Sequence, residues 1–185
     1  MITTHYVLFS FLGGASEADA STLSIPERIM VELVSRLEAI TTGNGYDYSV
    51  NSVQRINRDA ETTLQHLTVA VVQGDETRLE EEDFEGNPPV QAYELPIRIH
   101  GIVRQTDRPF GTPAVTEDDT LCNWLQSAIR QAIAEDASWW TFGGYAFESA
   151  LGGAGNWRST DHGGTTVELF ARYRVSELDP FTTRP

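Results

Sequence analysis

Apolar residues recur at helical spacing in two stretches of the chain. Residues 24–27 (SIPE) combine a capping box with a proline in the first helical turn, and apolar residues then follow every three or four positions as far as Ile40. With Gly43 as a stop signal, this pattern predicts a helix over about residues 25–41. A second capping box at residues 116–119 (TEDD) opens a continuous apolar stripe from Leu121 to Ile133. The sequence therefore predicts two amphipathic helices.

Strands are predicted in five other places, from alternating polarity or from runs of β-branched residues. Three of them cover residues 46–53, 63–73 and 145–151, and the last follows the alternation from Val167 to Val175. The remaining one is long, with Leu95, Ile97, Ile99 and Val103 on one face and Arg98, His100 and Arg104 on the other. Pro96 lies inside this strand and lacks a backbone donor, so we expect it at a sheet edge or at a bulge.

Three segments are predicted as breaks between or after these elements. Residues 74–89 are acidic and end in two prolines, which is typical of a loop. Residues 152–164 (GGAGNWRSTDHGG) are rich in glycine and predict a hairpin turn. The chain breaks again at Asp179-Pro180, after the last strand.

The order helix, three strands, helix, two strands predicts an α+β fold. We expect a largely antiparallel or mixed sheet of four to five strands, with the two helices packed on one face. Residues 25–185 then form a single domain, and residues 1–24 form an N-terminal arm or an extra strand. The apolar run at residues 6–12 is too short to span a bilayer, and no basic region precedes it as in a signal peptide.

Charge limits the choice of partners. The formal net charge is −14, and all thirteen basic residues are arginine. Such a surface repels phosphates, which argues against wrapping DNA or docking on anionic lipid. DNA that slides past without sticking remains compatible with it.

Catalytic and metal-binding patterns are missing from the sequence. The four histidines are scattered, and there is no HxH, HExxH or CxxC pattern. The glycine-rich segment lacks the GK[ST] ending of a phosphate-binding loop. The single cysteine, Cys122, falls on the second apolar helix, where we expect a buried, inert thiol. We therefore expect no catalytic, cofactor-binding or metal-binding residues and no enzymatic activity.

An aromatic cluster follows the second helix, and it is divided in our interpretation between the core and an exposed interface anchor. Its members are Trp139, Trp140, Phe142, Tyr145 and Phe147.

Taken in order, the elements resemble a known family. The relevant segments are IPERIMVELVSRLEAI, GNGYDYSV, VQRINRD, ELPIRIHGIVR, TLCNWLQSAIRQAIAED and VELFARYRVSELDPFT. Over residues 25–182 the chain resembles the tail terminator, or tail completion, proteins of long-tailed phages and archaeal tailed viruses, and related neck proteins. The Tyr173-Arg174 pair, followed by the short tail from Asp179 to Phe181, carries most of this likeness. The first 24 residues and the long acidic segment depart from the pattern.

The resemblance implies a structural role in the virion, in the tail or neck, with assembly in the host cytoplasm. Such proteins form a ring, usually of six copies, on the last ring of the tail tube. The ring ends tube polymerisation and provides the surface to which the head joins. The implied partners are further copies of the chain, the tail tube protein and a head–tail connector protein. DNA is only cargo passing through the lumen, and no membrane or cofactor is involved.

Ring closure requires each subunit to present two different surfaces, so charged residues on loops and outward strand faces are candidates for contacts. The candidate interface residues are Glu80, Glu81, Glu82, Asp83, Arg98, Arg104, Arg172, Arg174, Asp179 and Phe181. A head-to-tail adaptor or a baseplate ring protein is the nearest alternative, and a small-ligand binding domain is the alternative from a different class.

Overall fold

The computed structural model of the protein describes residues 23–56, 67–85, 88–104, 117–134, 139–158, 162–176 and 179–183. Within these ranges the chain forms two α-helices and seven β-strands. The helices are α1 (Ile25–Glu38) and α2 (Glu117–Ala134). The strands are β1 (Ser52–Arg55), β2 (Thr68–Gln73), β3 (Thr77–Arg78), β4 (Val90–Arg104), β5 (Glu148–Arg158), β6 (His162–Ser176) and β7 (Asp179–Thr183).

All seven strands belong to one mixed sheet. Its main order is β1-β2-β4-β6-β5, with β3 beside β4 and β7 beside β6. β1 and β2 are parallel, and the other pairs are antiparallel. The predicted α+β class with a mixed sheet is confirmed. The strand count exceeds the expected four to five because the short strands β3 and β7 were not recognised in the sequence.

One face of this sheet carries the hydrophobic core. β4 and β6 pair over their whole length, which places Ile97 opposite Leu169 and Ile99 opposite Val167. Apolar side chains from both helices join these residues in one buried cluster, as predicted for helices packed on a single face. Burying a Leu or Ile side chain completely contributes about 1.5–3 kcal/mol, so this face supplies most of the stabilising apolar contact.

The first predicted strand was placed too early in the sequence. Residues 46–51 lie outside any strand, and the chain instead makes a tight turn at Thr42–Asn44 that ends on Gly45 with φ of 88°. The Val50 N–H donates to the Ile40 carbonyl at 2.9 Å, which holds the segment against the end of α1. The alternating aromatic residues were misleading because Tyr48 packs edge-on against Trp124 of α2, with ring centres 4.9 Å apart.

Pro96 is in a central strand, so the expectation of an edge or a bulge was wrong. β4 pairs with β6 on one side and with β2 and β3 on the other. The Pro96 carbonyl accepts from the Gly74 N–H at 2.7 Å, so the Pro96 nitrogen also faces the gap between β2 and β3. A proline is tolerated there because the partner strand is interrupted where its missing donor would be needed.

The glycine-rich segment and the C-terminus are also more regular than expected. β5 continues through the glycines to Arg158, with a bulge between Leu151 and Ala154, so only a short connection separates it from β6. The break predicted at Asp179-Pro180 does not occur, because these residues begin β7, which pairs with Val175 and Ser176 of β6.

Candidate functional site: the open face of the sheet

The side of the sheet opposite the helices carries the charged residues of β4 and β6. We call it the open face. Strand alternation brings to it Glu94, Pro96, Arg98 and His100 of β4 and Glu168, Phe170, Arg172 and Arg174 of β6. The register sets these residues opposite one another, with Glu94 facing Arg172 and Arg98 facing Glu168.

Arg172 is the most heavily paired residue of the open face. Its Nε donates to Glu94 at 3.0 Å, and its Nη1 donates to Glu148 of β5 at 2.9 Å and lies 3.5 Å from Glu82. The hydrogen bonds to Glu94 and Glu148 raise the pKa of the Arg172 guanidinium above its usual value. Arg172 therefore connects β6 to β4, to β5 and to the acidic segment through charge-assisted contacts.

Arg174 is held mainly by aromatic rings. Its guanidinium carbon lies 4.1 Å from the centre of the Phe147 ring and 4.6 Å from the centre of the Phe84 ring. One of its nitrogens is 3.9 Å from Glu82, while its buried Nε has no hydrogen-bond partner in the described part of the chain. The side chain is 18% exposed, so the cation–π contacts form in a largely dry environment.

The acidic segment does not extend away from the protein as a free loop. Glu80–Glu82 forms a 3-10 turn between β3 and an isolated bridge that joins Phe84 to Val90. Asp83 anchors this turn, accepting from the Ala92 N–H at 2.9 Å and from Arg78 at 2.7 Å. These two contacts lower the pKa of the Asp83 carboxyl below its usual range.

The structure thus brings four of the ten candidate residues together within one chain: Arg172 and Arg174 of β6, and Glu82 and Asp83 of the acidic turn. Glu82 lies between Arg172 and Arg174, and Asp83 holds the same turn in place. Pairing of these residues with another copy therefore has to compete with contacts made within the chain.

The other six candidates are more scattered. Glu80 and Glu81 are exposed, and Arg98 is 68% exposed with Glu168 at 3.9 Å. Asp179 accepts from the Phe181 N–H at 3.1 Å, and Phe181 is 45% exposed. Arg104 is the last residue of β4, and its side chain lies outside the described residues.

Sequence reasoning missed several partners on this face. Glu94, Glu148 and Glu168 were not singled out, nor was Phe84, because their contacts depend on strand register and on where the acidic turn folds back. Glu94 alternates in sequence with Pro96 and Arg98, which is the one local sign that it belongs to the same face as them.

The aromatic cluster is divided between the core and the surface. Phe142 is fully buried, whereas Trp140 is 48% exposed. Phe147 and Tyr145 are half-buried and each stacks with an arginine, Arg174 and Arg28 respectively. The Trp139 side chain lies outside the described residues.

Two shallow cavities open on or beside the open face. One of about 380 Å³ is lined by Val72, Gly74, Asp75, Pro96 and Arg98. A smaller one of about 120 Å³ lies at the ion pairs, between Phe170 and Arg172. Neither contains a set of groups arranged for acid–base or nucleophilic chemistry.

His100 lies on the open face, and Cys122 lies in the buried cluster on the other face. His100 shares a hydrogen bond with Thr166 at 3.0 Å, and its burial, together with nearby Arg98, lowers the pKa of the imidazole. Cys122 is buried, as the sequence predicted. In the described ranges no three His, Cys, Asp or Glu side chains are grouped closely enough to hold a metal ion. Neither of the two described helices has the length and apolar character needed to cross a bilayer.

The open face therefore carries paired charges, stacked arginines and the exposed ring of Phe84. The chain matches no protein-family model and no curated protein.

Proposed function

We propose that the protein is a structural component of a virion, forming a ring of about six copies at the head-proximal end of a viral tail tube. The ring ends tube polymerisation and provides the surface to which the head joins. The copy number follows the family that the sequence resembles, and the tail tube protein and a head–tail connector are the partners on its two sides.

The open face is the observation that carries this proposal. The helices cover one side of the sheet, and the other side exposes Arg98 and the turn residues Glu80 and Glu81 beside the partly buried side chains of Arg172 and Arg174. A surface of this kind suits contacts between rigid proteins, where guanidinium–carboxylate pairs set the register. The formal net charge of −14 suits a lumen through which DNA passes without binding.

Removal of the gene from its virus tests the function directly. We expect electron microscopy of lysates to show headless tubes of uncontrolled length, because nothing ends polymerisation. Tails of normal length together with an unplugged neck would instead assign the protein to the head-to-tail adaptors. Intact virions in normal yield would refute both functions.

The acidic turn provides a finer test. Glu80 and Glu81 are exposed, whereas Glu82 and Asp83 have partners within the chain. We expect Glu80→Arg combined with Glu81→Arg to reduce virion yield without unfolding the protein. The matched control is Glu38→Arg combined with Asp47→Arg, which reverses two exposed carboxylates outside the turn. Normal yield from the double variant would exclude these two residues from the interface.

Binding of a small ligand is a second candidate, and the cavity beside Arg98 favours it. A molecule that co-purifies with the protein, and that is lost on Arg98→Ala, would support this function over the structural one.

A further inference from the structure

The edge of the sheet at β5 is long and chemically suited to pairing. In the ranges that the structure describes, the eleven-residue strand β5 pairs only with β6, through nine of its residues. Residues 149–157 (SALGGAGNW) contain neither a charged residue nor a proline. Charges and prolines are the usual means by which proteins prevent an exposed edge from accepting another strand. A bulge after Leu151 bends this edge, and the strand continues on both sides of it.

The opposite edge of the sheet is much less suitable. β1 has only four residues, and Arg55 at its end forms an ion pair with Glu27 of α1. A short edge with a paired charge offers few backbone groups to an incoming strand.

β7 lengthens the β5 edge and adds apolar surface to it. Because β4 pairs with β6 as far as Ser176, β7 occupies the other side of β6, in line with β5. Two large apolar side chains remain exposed in this neighbourhood. Phe181 of β7 is 45% exposed, and Trp140, 48% exposed, lies in the short helical segment that packs against β5.

The N-terminal sequence has the composition of a strand that fits such an edge. Residues 6–12 (YVLFSFL) are uncharged and rich in aromatic and branched side chains. As a strand they span about 23 Å, against about 36 Å for β5. The described part of the chain begins at Leu23, just before α1. In α1, Arg28 lies 5.6 Å from the ring centre of Tyr145, a few residues before β5. A connection of ten residues, the length of 13–22, can span at most roughly 33–36 Å, which leaves a neighbouring copy within reach.

We propose that residues 6–12 of one copy add as an extra strand to the β5 edge of a neighbouring copy. This inference rests on the proposed ring, because each subunit then offers one donor strand and one acceptor edge, as closure by unlike surfaces requires. The strand is held by main-chain hydrogen bonds along β5, and its apolar side chains cover the exposed aromatic residues beside that edge.

Crosslinking between two differently substituted full-length chains tests this contact. Gly155→Cys marks the acceptor edge, because Gly155 is exposed and an added Cβ meets no atom within 4 Å. Phe9→Cys marks the donor, with Val7→Cys and Phe11→Cys covering the neighbouring registers. The two chains are co-expressed, and the oligomer is treated with a short bismaleimide. The native Cys122 is 2% exposed and should react little with the bismaleimide. The unsubstituted protein measures this background.

We expect a covalent dimer that contains one donor chain and one acceptor chain. The matched control replaces Gly155→Cys with Arg55→Cys at the exposed end of β1, and should give at least tenfold less product. Equal product at both edges, or no product at position 155, would overturn the proposal. A further test uses one chain that carries both substitutions, diluted with unsubstituted protein. A crosslink that forms only within that single chain would also overturn the proposal.

A proline in the donor strand supplies a second measurement. Phe9→Pro removes a backbone donor, whereas Ser16→Pro places the same residue in the connecting segment. We expect light scattering to show loss of the oligomer for Phe9→Pro alone, with the helical circular dichroism signal of both variants retained. Full assembly of Phe9→Pro would contradict the donated strand.

The two proposals fail separately. The expected crosslink in a protein whose deletion leaves tail length normal would refute the terminator function and retain the donated strand. Headless tubes of uncontrolled length without the crosslink would do the reverse.

Discussion

The two faces of the sheet differ in what covers them and in how their side chains are paired. On the helix-covered face, Ile97, Ile99 and Leu169 are buried among apolar residues of α1 and α2. On the open face, neighbouring residues of the same strands, such as Arg98 and Glu168, meet through water-exposed ion pairs. Apolar burial is stabilising without regard to direction, whereas exposed ion pairs contribute little to stability but depend strongly on geometry. One face therefore holds the fold together, whereas the other adds polar contacts that depend on geometry.

The largest expected difference is between adjacent residues of β4. Ile99 is fully buried on the helix-covered face, and Arg98 is 68% exposed on the open face. We expect Ile99→Ala to lower the free energy of unfolding by about 2–5 kcal/mol, because it leaves a cavity. Arg98→Ala should change it by less than about 0.5 kcal/mol. Urea unfolding of both variants measures this, and similar losses would show that the open face is as important to stability as the core.

A pair of glycines sharpens the same contrast. A Cβ added at Gly101 would lie 2.4 Å from a Leu125 methyl group, whereas one added at Gly155 meets nothing within 4 Å. We expect Gly101→Ala to destabilise the protein by about 1–3 kcal/mol through overpacking between β4 and α2. Gly155→Ala is the matched control and should leave the thermal midpoint unchanged or slightly higher. Tolerance of Gly101→Ala would mean that α2 can move away from the sheet.

The arginines of the open face are expected to differ among themselves. Arg174 stacks between Phe84 and Phe147, and Lys keeps its charge but not its planar shape. We expect Arg174→Lys to reduce the free energy of unfolding by about 1 kcal/mol. Arg98→Lys, on the exposed side of the same face, should have no measurable effect. Equal responses in urea unfolding would show that stacking does not hold the acidic turn.

The smallest expected effect is the pH dependence due to Asp83. Its pKa is lower in the folded protein because the Ala92 N–H and then Arg78 bind the charged form. A carboxyl group of this kind stabilises the fold above its unfolded pKa, and the stabilisation is lost as the pH falls through its folded pKa. The loss therefore lies below about pH 4, the usual range for aspartate.

We expect Asp83→Asn to lower stability slightly at neutral pH and to flatten the acid side of the stability curve. Glu81→Gln, at an exposed position of the same turn, should leave the curve unchanged. Unfolding by urea at several pH values between about 2 and 7 distinguishes them, and parallel curves for Asp83→Asn and the unsubstituted protein would rule out this linkage.

Much of the fold followed from local sequence patterns. The helix after Ser24 and the apolar stripe around Leu125 were predicted because helical periodicity involves residues within a few turns of each other. The side-chain cap expected from Ser24 is not formed, and the second capping box begins at residue 116, outside the described residues. The strand predicted over residues 46–53 was mostly wrong, because Tyr48 packs against Trp124 of α2, which is distant in sequence, and not against a strand neighbour. Pro96 was misjudged for the same reason, because a gap in the neighbouring strand cannot be read from the proline itself.

The candidate site was predicted only in part. Charge and alternation identified Arg172, Arg174 and the acidic segment as outward-facing groups, but not that Glu82 lies between the two arginines of its own chain. The ring, the partners and the interface roles of all ten candidate residues stay predictions.

By itself the sequence determined which residues are apolar, how they repeat and hence that two helices pack on one side of a mixed sheet. It also determined the acidic charge and the uncharged composition of residues 149–157. Only the tertiary structure decided which carboxylates surround Arg172, which rings enclose Arg174 and that β5 lies at the edge. Such contacts join positions far apart in the chain, and their geometry depends on strand order and register, which no local pattern specifies.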